Sequence, residues 1–233
     1  MLIPSIDLLG GQIVQLQQGK LGQGDKPHLA FDDFEYWIER FSDYPLVQLI
    51  DLDAAMGQGH NTHLVEHISR RLPVQVGGGI RTVARAEEVL AAGARRIIVG
   101  SSLFTEKDGI GQVNTTFASE LSCAVGSAHI VAGIDSRNGK IAIKGWKAQV
   151  DLTPDNAIAA LEPYAESFLY THIDGEGLLQ GFPIDIARRL RALTQRQLIV
   201  AGGIRAQEEI DALASINVDA VAGMAVYTNL LST

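Results

Sequence analysis

The chain has 233 residues, a length for two small domains or one large one; 46% hydrophobic content supports a proper core, and 24 glycines suggest many tight turns. Its formal net charge of -8 argues against nucleic acid or an anionic membrane as the main partner. A small phosphorylated ligand remains open, because backbone N–H groups bind phosphate without cationic side chains.

The lone Cys123 excludes an intramolecular disulfide and fits a reducing cytoplasm. MLIPSID lacks the basic and apolar regions of a signal peptide, and no apolar run is long enough to span a bilayer. The sequence therefore reads as cytoplasmic, with no membrane contact.

In chain order, strand-like runs alternate with amphipathic ones. LIPSID precedes the helical pattern DDFEYWIERF, VQLID precedes HLVEHISRRL, and VQV precedes VARAEEVLAAG. RIIVG, HIVAGID and SFLYTHID are further strands, IDIARRLRAL is a helix, LIVAG is followed by AQEEIDALASI, and DAVAG comes last. Continuous apolar strands between helical patterns predict a parallel sheet covered on both faces. Eight such runs at this length predict an α/β fold of the (β/α)8 or TIM-barrel class. An open dinucleotide-binding sheet is the alternative, but no GxGxxG follows the first strand. No linker divides residues 1–233, so one domain is expected.

Four landmarks recur. Asp7 precedes Gly78 by 71 residues and Asp135 precedes Gly202 by 67; Arg81 precedes Gly100 by 19 and Arg205 precedes Gly223 by 18. Asp7, Gly11 and Ile13 also match Asp135, Gly139 and Ile141 in spacing. This predicts an internal duplication of half-barrels, approximately 1–122 and 123–233.

The repeated motifs carry chemistry. A lone Gly-Gly makes a tight turn, but GGIR occurs twice, each time followed by a strand ending in Gly (Gly100-Ser101, then Gly223). Two such pairs predict two phosphate cradles half a barrel apart, and a ligand with a phosphate at each end. Asp7 and Asp135 are read as closing opposed strands one and five, where two carboxylates can serve as base and acid. Asp51 also ends a strand and is either catalytic or an organiser of its loop. His172 and Glu176 fall in the loop after strand six, and Trp146 is either an aromatic lid or core. No metal-ligand spacing and no cofactor or nucleotide motif is present, so proton transfer by side chains points to an isomerase or lyase without cofactor or metal.

IPSIDLLGGQIVQLQQG, LIDLDAAMGQGHN, VQVGGGIRT, IIVGSSLF, IDSRNGKIAIKGW and YTHIDGEGLLQG together resemble the HisA/HisF family of histidine biosynthesis across nearly the whole chain. The KGW segment, and Ser5 where the HisF cyclase has Cys, favour the HisA isomerase branch. The resemblance implies a cofactor-free Amadori rearrangement of the aminoaldose ProFAR, which carries two phosphates, to the aminoketose PRFAR. It makes Asp7 the base and Glu176 the acid, a position where bacterial members usually carry Asp. Asp135 and Thr171 assist catalysis or hold the substrate. Gly79, Arg81, Gly100 and Ser101 match one phosphate site, and Gly202, Gly203 and Gly223 the other; Gly177 and Trp146 are expected at the substrate.

Two loops depart from the family pattern. The usual Arg-Asp-Gly-Thr reads Gly175-Glu176-Gly177-Leu178, and the usual Gly-Arg-Ala reads Gly223-Met224-Ala225, ahead of a stunted last helix that stops at LLST. The alternatives are phosphoribosylanthranilate isomerisation, alone or alongside ProFAR, and a paralogue that binds a phosphosugar without this catalysis. A monomer is expected.

Overall fold

The computed structural model describes residues 1–107 and 110–231, so Ser232 and Thr233 of the LLST end lie outside the described residues. Strands β1 (Leu2–Leu9), β2 (Val47–Asp51), β3 (Val74–Gly77), β4 (Arg96–Val99), β5 (Ile130–Arg137), β6 (Ser167–His172), β7 (Gln197–Ala201) and β8 (Val218–Ala222) are parallel and pair in chain order. β8 pairs back onto β1 through Leu2 and Ala220, closing the (β/α)8 barrel.

Helices α1 (Phe34–Arg40), α2 (Thr62–Ser69), α3 (Val83–Ala91), α4 (Thr115–Val125), α5 (Pro154–Leu161), α6 (Ile184–Arg191), α7 (Gln207–Ala214) and α8 (Met224–Tyr227) follow the strands. The sequence reading missed α4 and α5, although Asn114 and the Thr153-Pro154 pair are helix-start signals. α4 runs through residues 122 and 123, where the approximate seam between the halves is expected, and ends at Gly126. α8 is only four residues long, but Tyr227 stacks on Phe31 at 5.3 Å and on Trp37 at 4.2 Å between ring centroids. That aromatic contact joins the last element to the first helix.

Strand parity decides which side chains reach the mouth. Ile3 and Val131 belong to the barrel interior, whereas Ile6, Leu8, Ala132 and Ile134 pack outward under the helices. Asp7 and Asp135 each lie four residues after an interior position and so face inward. Leu169 is interior, which brings Thr171 to the same face.

Both aspartates were expected at strand ends, and here the structure corrects the reading. β1 and β5 run two residues further, because each turns into an antiparallel hairpin with an added strand, Gln12–Gln15 or Lys140–Ile143. The turns repeat as well: Gly10 and Gly11 have φ of 57° and 78°, and Asn138 and Gly139 have 50° and 74°. Paired positive φ is the requirement of a two-residue hairpin turn. The shared Asp-Gly-Ile spacing is the footprint of these hairpins.

At the other end of the barrel, Arg96 donates from Nε to Gln75 (3.1 Å) and from one terminal nitrogen to Ser167 (3.1 Å) and Gln197 (2.6 Å). This polar layer fills the bottom beneath the apolar interior. The open end is the opposite one.

Candidate active site

A cavity of about 240 Å³ opens among the C-terminal ends of the strands. Asp7, Asp135, Thr171 and Glu176 all line it, as do Trp146 and Gly177. So do Gly79, Arg81, Gly100 and Ser101 on one side, and Gly202, Gly203 and Gly223 on the other. His172 does not line it. Its ring lies 6.2 Å from that of Phe182, and half-burial pushes its pKa down.

The two glycine turns are built alike. Gly78 and Gly202 have φ of 104° and 108°, and a Cβ on either would collide with the backbone of the neighbouring strand, at Asp51 or at His172. Only glycine permits that approach, which leaves the following Gly79 and Gly203 bare at the cavity wall.

Arg81 stands at the first cradle and also braces it from outside. Its guanidinium donates to the carbonyl of Ala54 (3.2 Å) and to that of Ala55 (2.8 Å), tying the loop after β3 to the short helix Leu52–Met56 that follows β2. Ser101 accepts from the backbone N–H of Lys144 at 2.9 Å, so its hydroxyl links the first cradle to the turn that carries Trp146.

Three carboxyls share the cavity. Ser5, a partner the sequence reading missed, donates from Oγ to Oδ1 of Asp7 at 2.9 Å. Burial pushes the Asp7 pKa up to about 6 against that hydrogen bond. Asp135 is also raised by burial, while hydrogen bonds from Trp146 and Thr171 pull it back. Glu176 rises furthest, to about 8, through burial and the negative charge of Asp7 and Asp135. Among the described residues no counter-ion offsets this rise, so at neutral pH Glu176 holds a proton while Asp7 is mostly ionised.

Loop contacts set these groups in place. The carbonyl of Glu176 accepts from the N–H of Gln18 at 3.0 Å, and a Cβ on Gly177 would strike Gln17. The loop after β6 is therefore packed directly on the loop after β1. Trp146 has φ of 66° and donates from Nε1 to Oδ2 of Asp135 at 2.8 Å. Its ring lies so close to Gly19 that a Cβ there would come within 2.7 Å of Cε3. Trp146 is thus a cavity wall bridging the strand-one and strand-five sides, rather than core packing.

Asp51 is 1% exposed and does not reach the cavity. It accepts from the backbone N–H of Ala54 (3.1 Å) and of Asn61 (2.8 Å), and from the Asn61 amide (2.8 Å). Of its two readings, the organiser of its loop is the one present. Among the described residues, no group of three or more His, Cys, Asp or Glu side chains is placed to hold a metal ion, and no helix is long and apolar enough to cross a membrane.

Comparison with known proteins gives a consistent result. A family model described as histidine biosynthesis protein matches residues 1–232. The chain is 35% identical over 235 residues to a protein of Methanocaldococcus jannaschii, covering 99% of this chain and 94% of that one. Similarity to a Methanococcus maripaludis C6 protein is 32% over 241 residues (100% and 96% covered), and to a Deinococcus radiodurans protein 31% over 242 residues (99% and 94%). All three are named 1-(5-phosphoribosyl)-5-((5-phosphoribosylamino)methylideneamino)imidazole-4-carboxamide isomerase.

Proposed function

The chain belongs to the histidine biosynthesis protein family, and from that premise we propose that it is the aldose–ketose isomerase that converts ProFAR to PRFAR. The observation that carries this reading is the divergence of Glu176 and Asp7 in one cavity between two glycine cradles. Two carboxyls with pKa values pushed apart supply an acid and a base at one pH.

The substrate is a small molecule with two phosphates. One phosphate rests on Gly79, Gly100 and Ser101, and the other on Gly202, Gly203 and Gly223. Between them the sugar meets the carboxyls. Glu176 gives its proton to the ring oxygen, the C1–O bond breaks, and nitrogen lone-pair donation leaves a protonated imine at C1. Asp7 then takes the C2 proton, and the electron pair of that C–H bond forms the C1–C2 double bond of an enolamine. Asp7 then returns its proton to C1 while the C2 hydroxyl loses its proton to Glu176, which gives the aminoketose and restores both carboxyls; in net, one hydrogen moves from C2 to C1 and one from the C2 hydroxyl to the former ring oxygen. Asp135, with Thr171 and Trp146, holds the sugar in reach.

Burial serves this chemistry, because it keeps Glu176 protonated and Asp7 basic. The named relatives carry the bis-phosphoribosyl isomerase activity in their names, and nothing favours phosphoribosylanthranilate as the substrate. A coupled assay with each substrate separately tests the reading. The wild type should turn over ProFAR, and Asp7→Asn should lose at least about 1,000-fold in kcat, the upper part of what one acid–base group contributes. Full activity of that variant would remove Asp7 from the role of base.

A further inference from the structure

The isomerase reading leaves one buried polar group in the cavity without a task. Gln15 ends the hairpin strand that folds back from β1, and its side chain is 4% exposed. It lines the cavity beside Gly223, where a Cβ would collide with its amide. The bare backbone at position 223 is what gives that amide its place. Nε2 of Gln15 is buried and has no hydrogen-bond partner. A buried donor without a partner is destabilising, so its retention calls for a partner that arrives with function.

The charge inventory identifies that partner. Among the described residues that line the cavity, Arg81 is the sole Lys or Arg, and it stands at the first cradle with its guanidinium on the Ala54 and Ala55 carbonyls. At the second cradle, the residue after Gly223 is the buried Met224. Arg205, the cation that follows this glycine turn in sequence, is held at 3.8 Å by Glu209 and is not part of the cavity wall.

We infer that the carboxamide of Gln15 is the side-chain ligand of the phosphate held by Gly202, Gly203 and Gly223, donating where no cation is present. The inference rests on the isomerase reading for its second phosphate and adds the residue that recognises it. A neutral donor set binds phosphate by hydrogen-bond geometry rather than by net charge. The gap in the second cradle, left by Met224 in place of a cation, is thereby filled from the hairpin strand that folds back from β1, the neighbour of β8.

The test compares Gln15→Leu and Gln15→Glu with the wild type in steady-state kinetics on ProFAR. Gln15→Leu keeps the volume and removes the donors; KM should rise about 10-fold, with kcat within about 3-fold because the phosphate is remote from the reacting carbons. Gln15→Glu sets a like charge against the phosphate and should raise KM at least about 30-fold. A purely structural Gln15 gives the opposite pattern, since Leu removes an unmet buried donor: KM unchanged and thermal stability equal or higher. An unchanged KM in both variants, with an active wild type, overturns the inference and leaves the isomerase reading standing.

If the wild type fails to turn over ProFAR, that reading falls, and inorganic phosphate alone becomes the probe. The phosphate-induced rise in Tm should then shrink by at least half in Gln15→Leu, and an equal rise would overturn the inference. Should Gln15→Glu not fold, Gln15→Leu carries the test in both arms.

Discussion

Ser5 holds Asp7: its hydroxyl donates to Oδ1 at 2.9 Å, two residues along the same face of β1. The bond favours the charged carboxylate and works against the burial that lifts Asp7 to about 6. If Asp7 is the base, kcat/KM should fall on the acid side near pH 6 in the wild type. Ser5→Ala removes the opposing interaction, so that limb should move upward by about one pH unit, the size of one hydrogen bond to a charged group. A full pH–rate profile checks this. A lower rate with an unmoved limb would mean that Ser5 does something other than tune and orient Asp7.

Glu176 supplies the basic limb and a separate stability effect. Its folded pKa is raised from 4.5 to about 8, so activity that needs its proton should fall away above pH 8. The linkage has a definite sign. Below pH 4.5 the carboxyl is protonated in both states and its contribution is fully present; between 4.5 and 8 only the folded state keeps the proton, so stability declines as pH rises. Glu176→Gln cannot ionise. It should match the wild type near pH 4 and exceed it at pH 9 by at most about 5 kcal/mol, shared with the coupled Asp7 and Asp135. Thermal unfolding of both proteins across that range reads the difference, and kcat in the variant should drop about 100-fold or more.

Much of this was legible in the sequence for a physical reason. The buried strands form continuous apolar runs, the glycine turns are the backbone's only solution for passing under a neighbouring strand, and both features occur twice. The residues that escaped notice lack such a signature. Ser5 and Gln15 are single polar side chains inside apolar segments; Ser5 shares a face with Asp7 by strand parity alone, but Gln15 meets Gly223 only after the barrel closes. The hairpins were hidden because their added strands are four residues long, Gln12–Gln15 and Lys140–Ile143. Gly10-Gly11 and Asn138-Gly139 do carry the turn signal that would have revealed them. Arg81 lines the cavity at the expected cradle, and what its position alone did not reveal is that its guanidinium also ties that loop to the Ala54 and Ala55 carbonyls.

Asp51 illustrates how little a strand-end carboxylate says about its own role. Its three hydrogen bonds go to Ala54 and Asn61, and the Asn61 amide continues to Asp53 at 2.7 Å. Asp51→Ala leaves buried donors unmet and should cost about 3 kcal/mol, or roughly 6–12 °C in Tm. Asp51→Asn should be little better, because one amide then faces another with donors on both sides. Since Asp51 does not reach the cavity, kcat of the folded fraction should stay within about 3-fold of wild type. A collapse of kcat at unchanged Tm would return Asp51 to the catalytic candidates.

Trp146 joins the two sides of the cavity, and its two contacts can be separated. The indole N–H holds Asp135 at 2.8 Å, while the ring packs on Gly19. Trp146→Phe retains an aromatic ring and removes the donor, so Asp135 loses one of the bonds that keep its pKa down. The expected result is a loss of about 10-fold in kcat/KM, in line with one hydrogen bond to a charged group. Trp146→Ala also removes the ring between the strand-five turn and Gly19 and should lose about 100-fold, mostly in KM, if the ring packs on substrate. Fluorescence gives an independent readout, because the chain has two tryptophans and the other, Trp37, is 5% exposed in the aromatic core. Substrate binding should change the emission of the wild type and leave that of Trp146→Phe nearly constant. Wild-type kcat/KM in Trp146→Ala would reduce Trp146 to a passive cavity wall.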